Sequence, residues 1–196
     1  MVSERGAAGD AVRCQPVLAR VGELVVDYFR EKLIPGVLAE GDMVKLAWPD
    51  GQEDFRLGLC LYDLESVRAG GPGTPTRQGE DKWRRPDLLL SLRFFAFANR
   101  KAAFHGVEAS DELILLEAVM RAVYGAPGFP LGEGKTFQLT LDRVERSEKT
   151  ALWQSFHVPG QSAVWFSAEP VAIPGRPLSR APATREVEVD MRRKEG

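Results

Sequence analysis

Histidine and cysteine are nearly missing from this chain: His105, His157, Cys14 and Cys60 are all that its 196 residues contain. Neither type recurs at the close spacing of a structural zinc site, so no metal or other cofactor is expected, and both thiols read as free in a reducing compartment. Long apolar runs are missing as well. The first ten residues are small and polar with no apolar h-region, and every apolar stretch meets a charge well before bilayer-spanning length. No membrane partner is expected, and the chain is expected to be cytoplasmic when synthesised. An excess of one charge is also absent, since 26 basic and 28 acidic residues leave a formal net charge of −2 and no global field to draw nucleic acid.

What the chain does have is core material. With 44% hydrophobic residues and four tryptophans, it can build one domain without a covalent staple. In residues 16–33, Val17, Leu18, Val21, Leu24, Val25, Tyr28 and Phe29 recur at three and four, the period of an amphipathic helix, and Pro35-Gly36 stops it. Residues 43–48 and 55–62 alternate on either side of Pro49-Asp50-Gly51, which predicts a strand pair around a turn.

Residues 66–86 are rich in glycine and proline, then carry a charged run around Trp83; they read as a long, exposed, mobile loop. Residues 88–98 are almost continuously apolar, as in a central strand buried on both faces. Ser110 or Asp111 is the expected cap of a helix whose core face would be Leu113, Leu116, Met120, Val123 and Tyr124, ended by Gly125 and Pro127. A strand over 137–141, a short helix over 147–156 and a strand over 163–173 complete the pattern. It is that of an α/β (α+β) domain: a single mixed sheet flanked by an N-terminal helix and a central helix.

Boundaries follow from composition: a flexible N-terminus over 1–12, the domain over 13–175, and a C-terminal arm over 176–196. The arm is proline-rich and then charged, which favours disorder in the free chain. Yet Val187, Val189 and Met191 alternate with Glu186, Glu188 and Asp190, as in a strand that adds to the sheet of another protein.

Catalytic constellations are thin. His105 and His157 each lie beside a phenylalanine near a predicted helix end, and read as surface or helix-end residues rather than bases. Cys14 sits near a helix start but has no companion histidine, and Cys60 falls inside an apolar strand, as core. Gly132-Glu133-Gly134-Lys135-Thr136 has the residue types that end a phosphate loop, but it lacks the first glycine at the proper spacing and precedes a strand rather than a helix. Its glycines read as a hairpin turn. Lys82, Arg84 and Arg85 around Trp83 suit a protein contact better than a nucleic-acid backbone, because Trp and Arg anchor interfaces and the net charge is balanced.

Three stretches in order resemble the cap proteins of extracellular contractile injection particles of the antifeeding-prophage and virulence-cassette type, a family similar to phage tail terminators. They are Leu57-Gly58-Leu59-Cys60-Leu61-Tyr62-Asp63-Leu64-Glu65; the proline-led strand Arg85-Pro86-Asp87-Leu88-Leu89-Leu90-Ser91-Leu92-Arg93-Phe94-Phe95 with the helix after it, which leads into Gly128-Phe129-Pro130; and Phe137 to Leu141, Leu152-Trp153, Ser162-Ala163-Val164-Trp165-Phe166 and Pro170 to Ile173. The likeness covers residues 17–173. Trp165 stands where the family usually has tyrosine, and Glu117 where glycine is common.

The resemblance implies a tail-terminator-like fold and a structural cap, not an enzyme. Such a cap would form a six-fold ring on the last layer of inner tube and sheath and end their polymerisation, in a particle that can be released. Its partners would be further copies of itself and the tube and sheath subunits, with no nucleic acid. Contacts are expected from Arg68, Trp83, Arg84 and Arg85 in the long loop and from Arg176, Arg180, Val187, Val189 and Met191 in the arm. The alternatives are a tail terminator or tail-completion protein of a contractile phage, and a nucleic-acid- or ligand-binding adaptor.

Overall fold

The computed structural model describes residues 16–67, 73–77, 83–101 and 108–178. Cys14, Arg68, Lys82, His105, Arg180, Val187, Val189 and Met191 lie outside them. In chain order the elements are α1 (Val17–Leu33), β1 (Val44–Leu46), β2 (Leu57–Ser66), β3 (Thr76–Arg77), β4 (Trp83–Arg84), β5 (Leu88–Ala98), α2 (Ala109–Tyr124), β6 (Phe129–Gly132), β7 (Lys135–Leu141), α3 (Arg146–Ser155), β8 (Ala163–Ile173) and β9 (Pro177–Leu178).

Six strands form one mixed sheet in the order β1-β2-β5-β8-β7-β6, and β3-β4-β9 form a second, small sheet. The large sheet curls so that both of its edges, β1 and β6, touch α1. The fold is mixed α+β, as the alternation of periods implies.

β5 is the central strand. Its even positions Leu90, Leu92, Phe94, Ala96 and Ala98 join the core against α1 and α2, and Phe95 and Phe97 join a second core against α3. This two-sided burial explains the nearly unbroken apolar run. The larger core is closed by Val21, Val25 and Phe29 of α1, Leu115, Val119 and Val123 of α2, and Phe137 and Phe166 from the neighbouring strands. The smaller one is aromatic: Phe55, Phe95, Phe97, Trp153 and Trp165 pack around Cys60.

β1 and β2 do pair, but in parallel, with Val44 opposite Leu57 and Leu46 opposite Leu59. The expected turn is present, with the Gly51 N–H donating to the Trp48 carbonyl at 3.0 Å, but it sits inside a longer return rather than a hairpin. Arg56 N–H then reaches Met43 O at 3.0 Å and aligns the strands in the same sense. Parallel return keeps Val44, Leu57 and Leu59 together in the core against α1.

α2 also departs from expectation. It starts at Ala109, with Glu108 in the cap position and no side-chain cap from Ser110 or Asp111. Its buried residues are Glu112, Leu115, Leu116, Val119 and Val123, while Leu113, Met120 and Tyr124 are exposed, Tyr124 at 88%. The helix is apolar around most of its circumference, so periodicity leaves its rotation open. Two polar contacts help fix it. Arg100 grips the buried Glu112 with two bonds of 2.9 Å, and Tyr28 Oη donates to Ala122 O at 2.8 Å.

The stretch expected as loop carries β3 and β4, and β9 pairs with β4 through Trp83–Leu178 and Arg84–Pro177. The ladder between β5 and β8 thus leads on, through Arg85 N–H donating to Arg176 O at 3.1 Å, into the small sheet.

Candidate functional site

Three surfaces carry the polar side chains that chemistry or recognition would need. The first is the small sheet. Arg84 is turned inward: its Nε donates to Gly175 O at 3.0 Å, and its other nitrogens lie 4.0 Å from Asp87 and Glu133. Asp87 also accepts from Gly175 N at 3.0 Å and pairs with Lys135 Nζ at 2.5 Å. The Lys135 bond is the main cause that holds the Asp87 carboxyl below its usual range. Trp83, 40% exposed, and Arg85 and Arg176, both exposed, face solvent on this sheet.

That cluster settles the glycine-rich segment. Gly132, Glu133 and Gly134 all have positive φ (95°, 52° and 72°) and form the tight turn between β6 and β7. Glycine takes that conformation at no steric cost. Lys135 is spent on Asp87 and Glu133, not held out to a phosphate.

The second surface is a recess of about 310 Å³ on the α3 side of the large sheet, lined among others by Glu65, Ser91, Arg93, Asp142, Ser167 and Glu169. Arg93 pairs with Glu65 at 2.7 Å, a bond that raises its own pKa. Ser167 Oγ donates to Asp142 Oδ1 at 2.9 Å, but the buried Oδ2 finds no partner among the described residues. Burial is the main cause that raises the Asp142 pKa, opposed by the Ser167 bond. The adjoining β2 edge pairs with β1 only through Leu57–Leu59, so Leu61–Glu65 face no strand on that side among the described residues.

The third is an open groove of about 800 Å³ beside α3, with Arg100, Arg146 and Lys149 on its walls and Trp153, Val158 and Pro159 beneath. Lys149 Nζ lies 5.8 Å from the centre of the Trp165 ring. Neither Asp142 nor this basic groove was singled out from the sequence. Asp142 follows a strand with no motif around it, and the only sequence trace of the groove is the i, i+3 spacing of Arg146 and Lys149 at a helix start.

Cys60 is buried, and burial pushes its thiol up to about 12. His157 is an exposed helix-end residue with φ 54°. No group of three His, Cys, Asp or Glu side chains gathers to hold a metal ion among the described residues, and no helix among them is long and apolar enough to cross a membrane.

No protein-family model matches the sequence, and no curated protein does either. Among solved structures, the chain is similar to a sheath/tube terminator of an extracellular contractile injection system, PVC, seen by cryo-EM in its extended state, with a TM-score of 0.57 and 13% identity. The fold is terminator-like. The match covers 89% of this chain and 65% of the PVC terminator, so this chain spans just under two thirds of the length of that protein. At that identity the likeness is one of fold.

Proposed function

We propose that this protein is the structural cap of a contractile injection particle, a ring that seats on the last layer of tube and sheath and ends their growth. The observation that carries the reading is the fold likeness over 89% of the chain to a sheath/tube terminator. The resemblance read in residues 17–173 points the same way.

A terminator must offer one face complementary to a growing end and another that accepts no further subunit. The small sheet suits the first task, because Arg84, Asp87 and Lys135 brace it from within while Trp83, Arg85 and Arg176 stay exposed. Arg68, Arg180 and the arm residues Val187, Val189 and Met191 complete the proposed contact set, in a ring of six copies.

The test is the mass of the chain in solution, alone and after mixing with the tube and sheath subunits encoded beside it, by light scattering with electron microscopy of the product. A ring, or closed-ended particles that need this protein, is the expected result. A persistent monomer that neither binds nor shortens those polymers would overturn the reading.

A further inference from the structure

The groove beside α3 carries more basic charge than its lining compensates. Arg100 is matched by Glu112, but Arg146 has no ion-pair partner among the described residues, and no carboxylate is found among the described residues that line the groove. Its floor is apolar, with Trp153 95% buried beneath it. In the sequence, one segment has the opposite character: residues 185–191 alternate Glu186, Glu188 and Asp190 with Val187, Val189 and Met191. Extended, that segment puts three carboxylates on one face and, on the other, three apolar side chains and Arg185, which leaves three anions against one cation.

We infer that the groove receives residues 185–191 of a second copy of this chain, carboxylates toward Arg146 and Lys149 and apolar side chains toward Trp153, Val158 and Pro159. This rests on the reading of the protein as a ring-forming cap and names the contact that links its subunits. Reach favours a second copy over the same chain. The groove includes Ser162, beside the first residue of β8, whereas the described chain leaves at Leu178, past the far end of β8. β8 alone spans about 33 Å at ~3.3 Å per residue. The eight residues from Leu178 to Glu186 cover at most about 29 Å, so docking in the same chain's groove would take a fully stretched linker, a demand that a neighbouring copy does not make.

Charge also decides between acceptors. One open edge among the described residues, Leu61–Glu65 of β2, presents Asp63 and Glu65 beside a recess that holds Asp142 and Glu169, and the recess's cation, Arg93, is already paired to Glu65. An acidic strand is repelled there and attracted to the groove.

The test uses the full chain and a fluorescein-labelled peptide of residues 184–191, followed by anisotropy. Saturable, salt-sensitive binding is expected, weakened about tenfold or more, the size of two or three exposed charge pairs, by R146E with K149E. The same loss is expected when the peptide instead carries Glu186→Gln, Glu188→Gln and Asp190→Asn, a change that leaves the fold untouched. A peptide with lysine at those three positions should regain binding to the R146E/K149E chain. No saturable binding, or binding indifferent to both changes, would overturn the assignment.

A Cys14→Ser chain carrying Gln154→Cys and Val189→Cys should form disulfide-linked oligomers on oxidation; bonds confined to single chains would overturn the second-copy assignment. The peptide assay needs no tube or sheath, so capping without peptide binding sinks only the groove contact. Peptide binding without capping sinks only the cap.

Discussion

Lys135 and Asp87 meet at 2.5 Å with only about a quarter of each side chain exposed, and this pair bolts the β6–β7 turn to the segment that leads from the small sheet into β5. Asp87→Asn should therefore loosen the small sheet and lower stability at pH 7 by about 1–2 kcal/mol, measured by urea unfolding. The sign of the pH dependence follows from the depressed Asp87 pKa, caused first by its bond to Lys135. The pair stabilises the fold above the unfolded carboxyl pKa of about 3.9, and that gain is lost as pH falls through the folded value. The difference between wild type and Asp87→Asn should shrink toward pH 3.

Gly58 faces the rings of Phe97 and Phe55, and a Cβ there would overlap the Phe97 ring and lie 2.8 Å from Phe55. Gly58→Ala should cost about 1–3 kcal/mol by overpacking the aromatic core, read as a fall in the urea midpoint. Gly128→Ala, which meets nothing within 4 Å, should stay within about 0.5 kcal/mol of wild type.

Asp142 points the other way in pH. Burial raises its pKa in the fold, so its charged form opposes folding, and its contribution is most favourable below the unfolded pKa and lost as pH rises through the folded one. Asp142→Asn keeps an acceptor for Ser167 and gives the unpartnered Oδ2 position an uncharged amide. Thermal unfolding should show a higher midpoint for the variant at pH 7 and no gain at pH 3; a lower midpoint at both would mean that the carboxylate itself is needed.

Elements were legible where one pattern had one explanation. α1 and β8 lie where the sequence put them, because a striped helix has a single low-energy burial and the run 163–173, buried on both faces over 164–168, suits a strand between two cores. The hairpin turn at Gly132-Glu133-Gly134 was legible as well, since two glycines flanking one residue supply the positive φ that a tight turn needs. The rotation of α2 was not, because a helix apolar on most sides can bury several faces, and the choice fell to Arg100 and Tyr28 from elsewhere in the chain. Nor was the sense of the β1–β2 pair, since a turn between two strands does not say whether the chain goes on to form a hairpin or returns in parallel.

Local chemistry, then, was determined by the sequence alone: which segments are helical or extended, that β5 is buried on both faces, and that residues 185–191 alternate acid with apolar side chain. Only the tertiary structure decided which of those segments meet. It turned Arg84 and Lys135 into internal braces, gathered Arg146, Lys149 and Trp153 into one groove, and left an Asp142 oxygen buried without a partner among the described residues. The reason is physical. Helix and strand periods depend on neighbours within a few residues, while ion pairs, grooves and desolvation depend also on residues tens of positions apart that only the curled sheet brings within a few ångströms.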